Sequence, residues 1–377
     1  MSDKKNSKVE KRFARFDIED SIGRCVKKIE NADFVAFDLE FSGLVLDTGN
    51  QLNHKANLAE YYAHSRKSVK KFVTLQLGVC CANYNKSEDK WVLSPFAFYT
   101  RPKDRIFSSD VESLKFLAGQ NFDLSKWALE ALPYTRLAFP HVEASEETIK
   151  SDGIKSDGSK MSEPKPCKKT ELRALLSACA RTKVPMVFHH GWFDALHLWH
   201  CFVDDLPSDL VVFGKAWKSL FGPILDTKYI ADQHRWSIFS RVSSTTLAGL
   251  NGALLTDGNE FLPTFHIRED ISDYPSASSS EKNDTKSISQ RAEHDAGADA
   301  LLCAKVFLAQ RNMIKGAPKA KKRKKSANGT ATSSAAKENT QDSNISTGSV
   351  LAPIVDKGSD LQNVISACGA PPGSFRF

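Results

Sequence analysis

The chain has 377 residues, 41% hydrophobic and 26% charged, which is the composition of an ordinary globular protein with a sizeable core. Its net charge of +7 is uneven: from Ile314 onward there are ten Lys/Arg against four Asp/Glu, leaving only about +1 for residues 1–313. No apolar run is long enough to span a bilayer, Met1-Ser-Asp-Lys-Lys5 has no signal-peptide core, and eight scattered cysteines make no Cys-x-x-Cys pair, so a membrane protein and a disulfide scaffold are both excluded as expectations.

Residues 1–11 are polar and are expected to be disordered. Asp17 to Ile29 predicts a helix, because Ile18, Ile22, Cys25, Val26 and Ile29 share one face at helical spacing. Phe34-Val-Ala-Phe-Asp38-Leu-Glu40-Phe-Ser-Gly43 predicts a strand that ends at a Ser-Gly turn. Alternation sends Val35, Phe37 and Leu39 to one face, and Asp38 and Glu40 to the other, roughly 7 Å apart. Two carboxylates on an apolar strand are costly to bury, so the stretch suggests either a hard-metal site completed from elsewhere or an edge strand with a wet face. Ala56 to Lys71 predicts a basic helix, with Arg66, Lys67, Lys70 and Lys71 as a solvated face or a phosphate-contacting arm.

Phe72–Cys81 and Trp91–Tyr99 predict two further strands in an antiparallel meander, with Pro95 marking a bulge or an edge. Ser109 to Ala118 predicts a helix capped by Ser109 or Asp110. Residues 143–168 and 257–288 have the composition of flexible insertions. Helices are expected over Thr170–Thr182, from about Asp194 to Phe202, over Ser208–Leu220, after Ser243/Ser244, and over Gln290–Arg311; short strands are expected at Val184–His189 and Ile224–Thr227. Residues 314–377 are expected to form a disordered tail. In it Lys321, Lys322, Arg323, Lys324 and Lys325 form a basic run that suits a nuclear localisation signal or a non-specific RNA-binding tail.

Three strands followed by strand–helix units make an α/β chain with a mixed sheet. Several segments then occur in a telling order: Phe37 to Gly43, Leu75-Gln-Leu-Gly78, Phe122-Asp-Leu, Leu132-Pro-Tyr134, His189 to Asp194, Asp226-Thr-Lys228, and His294-Asp-Ala-Gly-Ala-Asp299. This set resembles the DEDD exonuclease superfamily in its His-containing branch, and within it the CAF-type deadenylases typified by poly(A)-specific ribonuclease. The resemblance covers residues 12–313. It implies a ribonuclease H-like fold in which Asp38, Glu40, Asp194 and Asp299 hold two Mg²⁺ ions, with Mn²⁺ as a substitute, and His294 orients or deprotonates the attacking water.

Elementary chemistry agrees with that implication. Four carboxylates raise one another's pKa unless cations neutralise them, and oxygen ligands without thiolates select Mg²⁺ or Mn²⁺. The implied substrate is the 3′ end of single-stranded RNA, above all poly(A), cut in the 3′→5′ direction to release 5′-AMP in the nucleus or, for a shuttling protein, also in the cytoplasm. A homodimer is among the oligomeric states left open. Phe41 and Trp192 are candidates for stacking on a terminal base, Ser42 and Gly43 for close approach to the last nucleotide, and Lys228 for a phosphate contact; core packing, a plain turn and a solvated lysine are their alternatives. The four histidines His189, His190, His197 and His200 suit packing and hydrogen bonding better than a second metal cluster. The family usually has Asn at the position of His190. A catalytically idle RNA-binding subunit and a single-stranded DNA exonuclease are the rival readings.

Overall fold

A computed structural model describes residues 20–45, 57–103, 105–120, 122–137, 165, 167–234, 242–255, 264–267, 295–316, 364–367 and 373–376. The first helix, α1, spans 20–30 and buries Ile22, Cys25, Val26 and Ile29, the stripe expected from their spacing. β1 (Phe34–Phe41) pairs antiparallel with β2 (Thr74–Asn85), which pairs antiparallel with β3 (Lys90–Pro102). β5 (Met186–Phe188) and β6 (Ile224–Asp226) add in parallel on the other side of β1. The result is a mixed, ribonuclease H-like sheet in the order β4-β3-β2-β1-β5-β6.

The outer side of β3 takes two short parallel strands at its two ends, β4 (Leu132–Tyr134) and β7 (Phe265–Ile267). Pro95 lies between them, on the part of β3 with no outer partner among the described residues, where a missing N–H costs no ladder bond. β7 falls within 257–288, where a loop was expected: three residues borrow an existing edge, which local composition does not signal.

Helices cover both faces. Val35, Phe37 and Leu39 point into a core formed with α1, α2 (Leu58–Lys71), α5 (Arg173–Thr182), α6 (Trp192–Phe202) and α7 (Leu210–Leu220). Phe34 and Ala36 point into a second core with α8 (Thr227–His234), α9 (Leu247–Leu254) and α10 (Ala296–Gly316). β1 is therefore central, not an edge strand with a wet face, and Asp38 and Glu40 continue the row that lies under α10. Helix α3 (Val111–Gly119) is capped by Asp110, whose carboxylate accepts from Glu112 and Ser113 N–H, and is followed by α4 (Leu124–Glu130). The cap of α9 is Thr246, accepting from Gly249 N–H, in place of the expected Ser243 or Ser244. Within the tail expected to be disordered, β8 (Val364–Ala367) and β9 (Gly373–Arg376) pair as a hairpin, with β8 beside β6, α6 and α8.

Candidate active site

The carboxylate row of β1 meets the first turn of α10 through two residues of β2. Gly78 lies opposite Asp38 in the ladder, and a Cβ there would sit 1.8 Å from the Ala296 carbonyl oxygen. Only glycine lets the helix rest this closely on the strand. Gln76 lies opposite Glu40 and clamps the same turn: Nε2 donates to Asp295 Oδ2 at 3.0 Å, and Oε1 accepts from Ala296 N–H at 3.2 Å. Asp295 caps the helix by accepting from Gly297 and Ala298 N–H at 3.0 and 3.1 Å. One turn later Asp299 reaches the row. Carboxylate oxygens of Asp38, Glu40 and Asp299 lie within 4.8 Å of one another, the one such acidic, thiol or imidazole grouping among the described residues.

Asp194 arrives from the other side. Strand β5 ends at Phe188 and a tight turn launches α6. His190 in that turn has φ 57°, a left-handed conformation in which Asn, Asp and His are the best-tolerated non-glycine residues. A histidine is therefore accommodated at this turn, where the resemblance leads to an expectation of Asn. At Gly191 a Cβ would meet Phe188 Cβ at 2.4 Å. The fully buried Asp226, at the end of β6, accepts from His190 and Gly191 N–H at 3.1 and 3.2 Å and from Lys228 and Tyr229 N–H at 2.9 and 3.1 Å. It thereby fixes the turn that aims Asp194. Asp194 Oδ1 accepts from Leu39 N–H at 3.0 Å, the amide between Asp38 and Glu40. Asp194 thus flanks the cluster on a backbone bond of β1, while the three mutually close carboxylates are Asp38, Glu40 and Asp299.

Burial and mutual repulsion dominate the electrostatics. Desolvation, then the charges of Asp194, Asp299, Glu40 and Asp295, hold the Asp38 carboxyl well above the usual carboxylate range. Desolvation, then Asp299, Asp194 and Asp295, push Glu40 up to about 9. Desolvation raises Asp194 to about 7, opposed by backbone N–H groups that include Leu39. Such a set favours protons or a divalent cation over bare charge.

The other expected site residues divide between site and scaffold. Phe41 stacks on the buried imidazole of His197 at 4.4 Å. The Ser42 hydroxyl is used internally, donating to Ser108 O at 2.8 Å and accepting from Val73 N–H at 3.0 Å. Gly43 makes room for the Phe72 ring, which an added Cβ would meet at 2.4 Å. Lys228 donates to Thr245 Oγ1 at 3.0 Å. Trp192 is buried and donates its indole N–H to Ser65 Oγ, so it packs the core. His189 pairs with Thr227 Oγ1 at 2.8 Å, and desolvation drives its pKa down to about 3. His294 and Lys321–Lys325 lie outside the described residues, as does Ile18. Gln76, Gly78, Asp226 and Asp295 were not singled out as site residues by the sequence; the signals available were the Gln and Gly of Leu75–Gly78 and the acidic residue adjoining His294.

A family model described as CAF1 family ribonuclease matches residues 15–307. The chain is 33% identical over 133 residues to the poly(A)-specific ribonuclease PARN of Xenopus laevis, covering 32% of this chain and 21% of that protein. It is 29% identical over 126 residues to the poly(A)-specific ribonuclease PNLDC1 of Mus musculus, covering 31% of this chain and 24% of that protein. The matched stretches thus span about a fifth to a quarter of these relatives. A solved structure of S. pombe Pop2p in its Mg²⁺- and Mn²⁺-bound form aligns with 79% of this chain and 90% of that chain, at 14% identity and a TM-score of 0.45.

Proposed function

The chain belongs to the CAF1 family of ribonucleases, and on that premise we propose that it is a metal-dependent 3′→5′ exoribonuclease that shortens adenylate tails of single-stranded RNA. The observation that carries this reading is the convergence of Asp38, Glu40 and Asp299 within 4.8 Å. Three oxygen donors with no thiolate among them, two of which, Asp38 and Glu40, are raised in pKa by burial and by neighbouring carboxylates, fit Mg²⁺ or Mn²⁺. Two such ions, when bound, would stabilise charge on the attacking water oxygen and on the departing 3′ oxygen.

The chain's own groups divide the remaining work. Asp38, Glu40 and Asp299 would hold the cations, and Asp194 completes the ring of negative charge while locking β1 through the Leu39 amide. Gln76 and Asp295 keep α10, and so Asp299, in register with the strand. His294, which immediately precedes Asp295 in the sequence, is assigned the proton of the attacking water. The new bond joins water oxygen to phosphorus, the P–O3′ bond breaks, and the product is a nucleoside 5′-monophosphate. Lys321–Lys325 would direct the protein to the nucleus, a role checked by fusing that segment to a reporter and scoring its distribution.

The enzymatic test uses 5′-labelled oligo(A) with Mg²⁺. Wild type should shorten it stepwise from the 3′ end with release of 5′-AMP, should act poorly on the deoxy strand, and should fall silent as Asp38→Ala. RNA binding by both proteins with trimming by neither would make the chain an idle subunit.

A further inference from the structure

A second basic feature opens at the same end of the sheet as the carboxylates, on the α6 side. It is a recess of about 340 Å³ walled by Lys103, Arg105, Tyr134, Arg136 and His200. Glu40 pairs with Gln76 and Gln76 with Tyr99, and the recess begins three residues further along β3, at Pro102. Standard strand spacings place it on the order of 14 Å from Glu40 along the plane of the sheet, with the recess on the α6 face and the Glu40 side chain on the α10 face. Helix α6 links the two places, carrying Asp194 at its start, His197 against Phe41, and His200 about 9 Å beyond Asp194 along its axis.

The recess is built around a buried neutral imidazole. Desolvation, then the charges of Arg105 and Arg136, drive His200 down to about 3, so at neutral pH it has one donor and one acceptor nitrogen. Both ring nitrogens face guanidinium donors: Nε2 lies 2.9 Å from Arg105 Nη1 and Nδ1 lies 3.2 Å from Arg136 Nη2. Nδ1 also lies 3.5 Å from Asp205 Oδ1. The same carboxylate oxygen accepts from Arg136 Nη2 at 2.8 Å, and Asp204 adds a second negative charge to Arg136 at 3.8 Å. Arg136 is thus neutralised. Arg105 is different: its partners are the neutral His200, the Tyr134 hydroxyl and, at 3.4 Å, the Phe72 carbonyl, and among the described residues no carboxylate pairs with it. A half-buried guanidinium is held in a fixed orientation with no carboxylate partner among the described residues, which is the arrangement that receives an anion.

We propose that this recess holds a backbone phosphate of the RNA, a few nucleotides upstream of the 3′ end being cut, with Arg105 as the contact and His200 as its positioning residue. This rests on the exoribonuclease reading, which supplies a polyanion that must enter at this end of the sheet. A lone phosphate ion has the same chemistry, and the test separates the two.

Binding is measured by fluorescence anisotropy in EDTA, so that no cleavage occurs, on the full chain. For an oligo(A) of about a dozen nucleotides, Arg105→Gln should bind roughly fivefold or more weakly, with a log–log salt slope shallower by about 0.7, one phosphate contact on a single strand. Arg105→Lys should restore the slope and part of the affinity, and ApA, too short to reach the recess, should bind both proteins equally. An unchanged melting temperature in Arg105→Gln would confirm that the fold is intact. Equal affinities for the longer RNA, or an equal loss for ApA, overturn the proposal. Should inorganic phosphate raise the melting temperature of wild type but not of Arg105→Gln while RNA affinities match, the recess holds a free anion and the RNA assignment fails. If RNA binding depends on Arg105 but Mg²⁺ never elicits trimming, the exoribonuclease reading falls and the recess stands.

Discussion

Asp38, Glu40 and Asp194 hold protons more tightly in the folded chain than in the unfolded one, and this sets a sign. Between the unfolded carboxylate range and about 9 for Glu40, the native state binds more protons, so metal-free stability should fall as pH rises through that window. Thermal melts in EDTA across this range should show the decline, and Mg²⁺ should raise the melting temperature more at about pH 8 than at about pH 6. Glu40→Gln should stabilise the metal-free protein at the higher pH, abolish the metal-dependent shift, and lower trimming by more than roughly 100-fold, beyond the loss typical of a metal's outer-shell partners. His190 tests the backbone in the same neighbourhood. With φ at 57°, His190→Asn should change stability by less than about 0.5 kcal/mol in urea unfolding, while the β-branched His190→Val should lose about 1–2 kcal/mol.

At the scale of elements, the site exists because α10 lands on β2. Gly78 and Gln76 govern that landing in different ways. Gly78→Ala places a methyl where the Ala296 carbonyl stands, so the helix must lift; a destabilisation of about 1–3 kcal/mol and loss of trimming should appear together. Gln76→Ala leaves room but removes both hydrogen bonds to the helix start, so trimming should fall roughly 10–100-fold, with metal affinity, while the melting temperature moves much less. Parallel assays of melting and activity on the two variants separate a displaced helix from a loosened ligand.

The whole molecule separates chemistry from reach. Every described carboxylate of the site lies between residues 38 and 299, whereas most of the net positive charge lies beyond Ile314. Truncation after Gly316 should therefore leave trimming of short oligo(A) within a few-fold of wild type. It should also weaken binding of long RNA at low salt and flatten the salt dependence, because fewer counterions are released. The hairpin β8–β9 sits beside β6, α6 and α8, so the same truncation should lower the melting temperature slightly through the loss of that packing.

Local rules carried the sequence reading as far as single elements. The odd–even alternation of β1, the stripe of α1, the Asp110 cap and the edge position of Pro95 are each set within a few neighbouring residues, and the ordered motifs named the family because their residue types are dictated by one chemistry. The meeting of the carboxylates was decided only in three dimensions. Gln76 binds Asp295 across 219 positions, and Asp194 binds the Leu39 amide across 155. Asp226 stabilises a turn 35 residues away, and β7 exists because β3 offers a free edge. Periodicity along a chain tells which face a side chain takes, but not which distant backbone it will face. That depends on close packing between elements, here on a glycine with no Cβ under the first turn of a helix.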